Sequence, residues 1–333
     1  MASPIVSVIL PFFNAEATLA KAILSIRQQT LPDWELIAFD DGSIDASRTI
    51  AERFAREDSR IRVLGERHVG IVEALRRGCD AAHSPYLARM DADDIAAPER
   101  LEKQLALLES DPEMAVCGTL VRIVGEMMGS GRRRYEKWIN SLFNPEDIVR
   151  ELFVECPLPH PTFFIRRSAY DHIGGYQGQD WPEDHDLLMR IWLAGYQIGK
   201  VPEILLDWTD ASTRLSMSDP RYSEAAFRAI KRYYLFESYL KNRPIFHQWG
   251  AGEVGKRWLR EWNDRRPFAV VDIHPRKIGR KIHGCRIIPP DHLPPPGSTF
   301  IVIAVGSPGA REDIRAWLNP KGYIETKDYL FLA

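Results

Sequence analysis

The sequence predicts an α/β fold in two parts: a larger domain over residues 1–240 with a mostly parallel central sheet, and a smaller α/β domain over residues 245–333. Two observations lead to this prediction. Short apolar runs alternate with amphipathic segments of helical period from residue 5 to residue 108, and the same alternation begins again at Ile245. Strand–helix–strand units have right-handed crossover connections that bring their strands side by side in parallel. Such alternation therefore indicates a parallel sheet covered by helices.

The first domain begins with apolar runs rich in β-branched residues, which are typical of strands buried on both faces. Strands are predicted at residues 5–13, 34–39, 61–64 and 86–90, and helices at residues 17–29, 46–56, 69–82 and 98–108. Residues 111–210 are less regular, with strands predicted at residues 115–124 and 162–165 and a helix at residues 184–194. A flexible loop that ends in three arginines is predicted at residues 125–134, and a linker is predicted at residues 241–244.

The composition narrows the class of protein. Lys and Arg number 44 against 46 Asp and Glu, so the net charge of −2 offers no general attraction for nucleic acid or for an anionic membrane. The four cysteines lie far apart, which favours reduced thiols over disulfides or a metal site. No apolar run approaches the ~20 residues of a membrane-spanning helix. We therefore expect a cytoplasmic protein with no transmembrane segment and no nucleic-acid partner, and peripheral contact with the inner face of the membrane is left open.

Three carboxylates, Asp91, Asp93 and Asp94, follow the strand predicted at residues 86–90. In an open α/β sheet the ligand crevice lies at the carboxyl ends of the strands. Like charges crowded there are costly unless a cation accompanies them, and an Asp-x-Asp pair suits a hard divalent ion that also holds substrate phosphates. The pattern therefore predicts metal-dependent chemistry on a diphosphate. If the aspartates are considered without the rest of the sequence, a solvated turn is the alternative. Two roles stay open for Asp94: support of the other two aspartates, or a helix cap.

Two further acidic pairs occur in the same domain. Asp40 and Asp41 follow the second predicted strand, and Glu183 and Asp184 open a predicted amphipathic helix. The second pair has a simpler alternative explanation, because acidic residues at a helix N-terminus also favour the helix dipole.

Four short motifs follow one another along the chain: SVILPFFN at residues 7–14, DDGS at 40–43, RMDADD at 89–94 and EDHDL at 183–187. Together they resemble the family 2 glycosyltransferases of the GT-A fold, over roughly residues 4–215. The resemblance implies an inverting, metal-dependent transfer of a sugar from a nucleotide-diphosphate sugar, expected to be a UDP-sugar, to the hydroxyl of a glycan or lipid-linked acceptor. Its expected setting is the assembly of surface polysaccharide or another glycoconjugate.

The resemblance also implies roles for single residues on the donor side. Pro11, Phe13 and Asn14 of the first loop, together with Asp41, are expected to hold the nucleotide base and ribose. Members of the family often carry Tyr where this chain has Phe13, so a hydroxyl contact is lost here and stacking is kept. Asp91 is expected on the ribose side of the donor.

The metal and the acceptor have their own candidates in the resemblance. Asp93 is expected to bind Mn²⁺ or Mg²⁺, and Asp184 is expected to be the general base that takes the proton of the acceptor hydroxyl. Glu183 is expected to orient the acceptor side. His160, which lies between two prolines, is either an acceptor-side contact or a turn residue. Arg214 is a candidate for the diphosphate, although its local pattern departs from that of the family.

The second domain carries a complete G-x-G-x-x-G sequence at Gly250, Gly252 and Gly255, after a predicted strand and before a predicted helix. Asp272 follows at the end of the next predicted strand, about the expected 20 residues further on. This arrangement resembles the nucleotide-binding half of Rossmann proteins, whose loop amides cradle phosphate at a helix N-terminus. Because the domain is short for a full dinucleotide fold, three interpretations stay open: a site for NAD(P), a site for another nucleotide or small ligand, or a structural or assembly role.

Two other functions fit parts of the pattern. A nucleotidyltransferase of similar fold would carry a Gly-rich, basic signature after the first strand, which residues 11–17 lack. A catalytically inactive nucleotide-sugar-binding scaffold or sensor is the second alternative, and the intact Asp91, Asp93 and Asp184 argue against it.

Overall fold

The computed structural model describes residues 3–125, 129–210, 219–263 and 265–333, and the chain divides into two compact units. The first unit contains Met1–Ile148 and Pro157–Asp219, and the second contains Val149–Cys156 and Pro220–Ala333. The second unit therefore begins before the linker predicted at residues 241–244, and it takes in a short segment from the middle of the chain.

The first half of the first unit is its alternating α/β part. Its strands are β1 (Val6–Phe12), β2 (Trp34–Asp40), β3 (Ile61–Leu64) and β4 (Tyr86–Arg89), and its helices are α1 (Leu19–Arg27), α2 (Ser47–Glu57) and α3 (Ile71–Ala81). β1 lies between β2 and β4 and pairs with both in parallel, and β3 pairs in parallel with β2. Every residue of β1 and β2 is buried, so both faces of these strands are covered, as their continuous apolar sequence predicts.

The second half of the first unit extends the same sheet with mixed pairings. Its strands are β5 (Ile95–Ala96), β6 (Met114–Val124), β7 (Phe164–Arg166) and β8 (Gln197–Thr209), accompanied by α4 (Arg100–Ser110), α5 (Ser130–Ser141), α6 (Pro145–Glu151), α7 (Arg167–His172) and α8 (Glu183–Leu193). Of α6, the residues up to Ile148 belong to this unit. The strand order is β3-β2-β1-β4-β7-β6-β8-β5. β7 runs antiparallel to β4 and β6, β5 runs antiparallel to β8, and β6 and β8 are parallel. The α/β fold with a mostly parallel sheet that the sequence predicts for this part is confirmed.

The flexible loop predicted at residues 125–134 is wrong in its second part. α5 begins at Ser130 and includes the three arginines, of which Arg132 forms a two-pronged ion pair with Asp210 at 2.5 and 2.7 Å. The helix gives a weak signal in the sequence, because its apolar residues are confined to residues 135–139. Ile139 is buried and Tyr135 and Trp138 pack partly buried against the core, whereas residues 130–134 offer no hydrophobic period.

The second unit forms its own six-stranded sheet. Its strands are β9 (Phe246–Trp249), β10 (Ala269–Val271), β11 (Lys281–Ile282), β12 (Cys285–Ile288), β13 (Phe300–Ile303) and β14 (Tyr329–Phe331), and its helices are α9 (Glu224–Glu237), α10 (Glu253–Glu261) and α11 (Ala310–Leu318). The order is β11-β12-β10-β9-β13-β14, and all pairings except that of β11 are parallel. The strand order reverses between β9 and β13, which is where open α/β sheets place a ligand crevice.

The segment Val149–Cys156 is bonded into the second unit. Lys231 of α9 is buried and donates from Nζ to the carbonyl oxygens of Val154 at 2.6 Å and Leu332 at 3.3 Å. Burial lowers the pKa of Lys231 to about 8, so its ammonium group is still mostly charged at pH 7. Glu151 accepts a hydrogen bond from Arg311 of α11 at 2.8 Å. Polar contacts from two helices therefore fix the segment within this unit.

All four cysteines are free and buried. Burial raises the pKa of Cys79 to about 12, so this thiol is unreactive at neutral pH. Within the described ranges, no helix combines the length and the apolarity that crossing a membrane requires.

Gly255, in the first turn of α10, lets the chain pass close to Gly250. A Cβ at position 255 would lie 2.0 Å from the carbonyl oxygen of Gly250, whereas a Cβ at position 252 would meet nothing within 4 Å. We predict that Gly255→Ala lowers the free energy of unfolding of the full chain by about 2 kcal/mol or more, because the backbone must shift. Gly252→Ala is the matched control and should cost less than about 1 kcal/mol. Urea unfolding followed by circular dichroism measures both, and equal stabilities of the two variants would contradict this role of Gly255.

Candidate active site

Three aspartates lie together in the turn after β4. Carboxylate oxygens of Asp91, Asp93 and Asp94 all lie within 4.8 Å of one another. Asp94 is buried, and its Oδ1 accepts a hydrogen bond from the backbone N–H of Thr209 at 2.8 Å. Its Oδ2 has no hydrogen-bond partner in the part of the chain that the structure describes. The hydroxyl of Thr209 donates to the backbone carbonyl of Asp93 at 2.5 Å, so the end of β8 holds the turn that carries the aspartates.

This cluster is unfavourable without a cation. Burial, followed by the charges of Asp91 and Asp93, raises the pKa of Asp94 well above its usual value. A hard divalent ion fits these residues, because it would satisfy the buried oxygen and balance the like charges. Asp94 is not a helix cap, since α4 begins at Arg100. It belongs with the two aspartates that the Asp-x-Asp spacing picks out, and its sequence signal is a third carboxylate in the same turn.

Arg89, the last residue of β4, is a site residue that the sequence does not single out. It is buried, and its guanidinium forms an ion pair with Asp91. The guanidinium of Arg100 donates to the carbonyl oxygen of Arg89 at 3.2 Å and to that of Pro161 at 2.8 Å. The available signal is a basic residue two positions before Asp91. The direction of its side chain, however, depends on strands that pair from distant parts of the sequence.

The loops after β1 and β2 lie side by side, because these two strands pair directly. The carboxylate of Asp41 accepts hydrogen bonds from the backbone N–H groups of Val69 at 2.6 Å and Gly70 at 3.1 Å, and it lies 3.0 Å from Nδ1 of His68. The ring of Phe13 is 48% exposed, and its centroid lies 5.1 Å from that of His68. The structure therefore places an open aromatic face and a carboxylate at this corner, and His68 is a neighbour that the sequence does not indicate.

Pro11 and Asn14 shape the same corner. Pro11 is buried in β1, opposite Phe39 of β2. Asn14 has a φ of 49°, a region that Asn enters more readily than most residues, and its side-chain oxygen accepts a hydrogen bond from the backbone N–H of Ile44 at 2.9 Å. Asn14 thus fixes how the two loops meet, and a direct role in binding a base or ribose stays a prediction.

His160 is partly buried and lies between Tyr176 and Glu183. Its Nε2 lies 2.7 Å from the hydroxyl of Tyr176, and its Nδ1 lies 3.8 Å from Oε1 of Glu183. Burial, followed by the charge of Arg89, lowers the pKa of His160 well below its usual value. The ring is therefore neutral at physiological pH, and no pattern in the sequence indicates the contact with Tyr176.

Asp184 lies in the first turn of α8, next to Glu183. Glu183 is 2% exposed, whereas Asp184 is half-buried, so Asp184 is the more accessible of the two carboxylates. Its Oδ1 accepts a hydrogen bond from the backbone N–H of His185 at 2.7 Å. Arg214, the candidate for the diphosphate, lies outside the described residues.

The glycine-rich loop of the second unit is closed by hydrogen bonds of its own. Oδ2 of Asp272 accepts a hydrogen bond from the backbone N–H of Ala251 at 3.0 Å. The side-chain amide of Gln248 donates to the carbonyl oxygens of Gly250 at 2.9 Å and Gly255 at 3.0 Å. Asp272 and Gln248 thus stabilise the loop, and the three interpretations of its function stay predictions.

Solved structures share the fold. The structure of Staphylococcus aureus TarS residues 1–349 in complex with UDP-GlcNAc matches with a TM-score of 0.55 at 17% identity, covering 71% of this chain and 74% of that chain. The mannosyltransferase PcManGT from Pyrobaculum calidifontis, in complex with GDP-Man and Mn²⁺, matches with a TM-score of 0.51 at 18% identity, covering 73% of this chain and 66% of that chain. These likenesses confirm the predicted GT-A fold.

Sequence comparisons define the family. The sequence model described as "Glycosyl transferase family 2" matches residues 7–174. The amylovoran biosynthesis glycosyltransferase AmsE of Erwinia amylovora is 31% identical over 203 residues, covering 60% of this chain and 74% of AmsE. An uncharacterized glycosyltransferase of Haemophilus influenzae is 29% identical over 244 residues, covering 70% of this chain and 75% of that protein. The protein is therefore a glycosyltransferase. It belongs to glycosyltransferase family 2.

The buried charge of Asp94 leads to a prediction about stability. Because the native pKa of Asp94 is raised above its unfolded value, the native state binds a proton that the unfolded state lacks between these two values, and stability falls as the pH rises through that window. Asp94→Asn removes the charge and can still accept the hydrogen bond of Thr209. We predict that it raises the free energy of unfolding by about 1–3 kcal/mol at pH 7.5 in EDTA, and by less at pH 5.

Urea unfolding at the two pH values measures this effect. The control is Asp80→Asn, since Asp80 is exposed on α3 and its substitution should change stability little at either pH. A metal-free Asp94→Asn protein that is less stable than the wild type at pH 7.5 would contradict the argument.

Proposed function

We propose that this glycosyltransferase catalyses the metal-dependent, inverting transfer of a sugar from a nucleotide-diphosphate sugar to an acceptor hydroxyl. The observation that supports this most strongly is the cluster of Asp91, Asp93 and Asp94 after β4, in a chain of glycosyltransferase family 2. β1, β2 and β4 are adjacent and parallel, so their carboxyl ends share one edge of the sheet. A nucleotide held by the loops after β1 and β2 would direct its diphosphate towards the aspartates.

The donor side of the proposed site is formed by the loops after β1 and β2. The exposed ring of Phe13 offers a face on which a base can stack, and the carboxylate of Asp41 can accept a hydrogen bond from a base N–H. Pro11 and Asn14 set the course of the loop that presents Phe13. Asp91 is partly exposed and would face the ribose.

Asp93, with Asp91 and Asp94 beside it, would hold Mn²⁺ or Mg²⁺. The ion would supply a Lewis acid for the departing diphosphate. The role of the protein is to hold the three carboxylates close together. The hydrogen bonds from Thr209 to the carboxylate of Asp94 and to the backbone carbonyl of Asp93 support this role. Arg214 remains a proposed contact of the diphosphate.

Asp184 is the proposed general base. In a single displacement, the acceptor oxygen forms a bond to the anomeric carbon as the bond from that carbon to the diphosphate breaks, and the acceptor proton passes to Asp184. One such displacement inverts the anomeric configuration and requires no covalent nucleophile. The buried Glu183 and the neutral His160 lie beside the first turn of α8 and would keep Asp184 in place.

The relatives indicate which substrates to test. TarS was solved with UDP-GlcNAc, PcManGT was solved with GDP-Man, and AmsE is named for amylovoran biosynthesis. We take a UDP-sugar as the first candidate donor. The proposed acceptor is a glycan or a lipid-linked glycan in surface polysaccharide assembly, and the proposed place of action is the cytoplasm or the inner face of the membrane.

The donor assignment predicts a ligand effect on stability. UDP with Mn²⁺ should raise the melting temperature of the full chain, because a ligand at one hundred times its Kd adds about 2.7 kcal/mol to the stability of the native state. EDTA should abolish most of this shift. GDP and ADP are the matched nucleotides for comparison. If only GDP shifts the melting temperature, the proposed reaction class stands and the donor is a GDP-sugar. The donor assignment fails if no nucleoside diphosphate shifts the melting temperature with either Mn²⁺ or Mg²⁺.

The separate roles of two aspartates predict a clear division of effects. Asp93→Ala should weaken metal-dependent UDP binding at least about tenfold, because it removes a ligand of the ion. Asp184→Asn should keep binding within about threefold and lower kcat by a factor of about 10² to 10⁴, because it removes the proton acceptor. Calorimetric titration and UDP release measure the two effects, with Asp180→Asn as an exposed neighbouring control. Near-normal turnover of Asp184→Asn would exclude it as the base.

A further inference from the structure

Arg89 brings a buried positive charge next to three carboxylates. It is 6% exposed and forms an ion pair with Asp91. Its Nε makes no hydrogen bond with any residue that the structure describes. A buried guanidinium with an unused donor is costly, and an apolar residue would cost less at the end of a buried strand. The stability of the fold therefore does not explain why the charge is there.

The backbone of Arg89 is fixed from three directions. Its N–H donates to the carbonyl oxygen of Phe163 at 2.8 Å, and its own carbonyl oxygen accepts a hydrogen bond from Arg100 at 3.2 Å. Its Cα is in register with Ile9 of the central strand β1. The guanidinium therefore extends from an anchored strand end, so its charge is a permanent part of the site.

The formal charges show what this fixed cation can do. Asp91, Asp93 and Asp94 concentrate negative charge in one turn, and Arg89 lowers that negative charge by one unit at the point where it pairs with Asp91. With an uncharged residue at position 89, the turn would be more negative by one unit and would repel a diphosphate more strongly. The same positive charge repels a metal ion that arrives alone, since both effects follow Coulomb's law over the same short distance.

We propose that Arg89 is a positioning residue that holds Asp91 and sets the charge of the aspartate cluster, so that it weakens the binding of metal alone and strengthens the binding of the nucleotide diphosphate with metal. This inference rests on the proposed metal-dependent function. Its consequence is that metal and donor are retained together, and that the free protein holds the ion loosely.

The test compares two binding constants in variants of one residue. Arg89→Met removes the charge and keeps most of the volume, Arg89→Gln removes the charge and keeps a hydrogen-bond donor towards Asp91, and Arg89→Lys keeps the charge. Calorimetry measures the Kd of Mn²⁺ alone, and then the Kd of UDP and of GDP at saturating Mn²⁺. We expect the two neutral variants to bind Mn²⁺ about tenfold more tightly and the nucleotide about tenfold more weakly. Arg89→Lys should stay within about threefold of the wild type in both.

Opposite changes in the two constants separate this role from a structural one. If Arg89 served only to support β4, the neutral variants would bind both ligands more weakly, and that result would overturn the proposal, as would unchanged constants. Arg89→Gln decides the question if Arg89→Met does not fold. Arg62→Met is the matched control, because it removes an arginine that pairs with Glu35 outside the aspartate cluster, and both constants should be unchanged. A wild-type protein that binds neither Mn²⁺ nor a nucleotide would overturn the proposed function as well.

Discussion

Crowding of negative charge after one short strand is the constraint on which the first unit depends. Asp91, Asp93 and Asp94 share a turn, and the fold holds that turn with groups that are distant in sequence. Thr209, at the end of β8, bonds to the turn, and β8 reaches it because β5, which follows the aspartates, pairs antiparallel with β8. Arg100 of α4 bonds to the carbonyl oxygen at the end of β4. The mixed second half of the sheet thus supports the acidic turn that the parallel first half presents.

Loss of water favours the neutral form of two ionisable groups near this turn, Asp94 and His160. The pKa of Asp94 is raised and the pKa of His160 is lowered, and in both cases loss of water is the largest cause. Each group is driven towards its neutral form, whereas Asp91 and Asp184 remain partly exposed. The site therefore combines accessible carboxylates, which can meet substrate or metal, with a dry interior that fixes their positions.

The parts of this architecture that the sequence predicts are those that depend on local pattern. Continuous apolar runs predict the parallel strands β1 to β4, and the Asp-x-Asp spacing predicts the position of Asp91 and Asp93. The contacts of Asp94 with Thr209 and of His160 with Tyr176 are not predictable in this way. Thr209 reaches the turn only when β8 has paired with β5 and β6, and His160 and Tyr176 lie on either side of β7 and α7. The helix α5 is not predicted for a different reason: the residues that pack against the core, Tyr135, Trp138 and Ile139, follow an initial run of Ser, Gly and Arg. The segment Val149–Cys156 carries no local sign of the unit to which it belongs.

That segment has a consequence for the order in which the chain becomes structured during synthesis. Val154 and Leu332 bond to the same ammonium group, and about 180 residues separate them, which at typical elongation rates is roughly 10 to 35 s of translation. Throughout that interval the buried side chain of Phe153 is outside the ribosome without the sheet that will complete its unit. The nascent chain therefore exposes apolar surface at this segment until β14 emerges, which makes the unfinished protein prone to aggregate there.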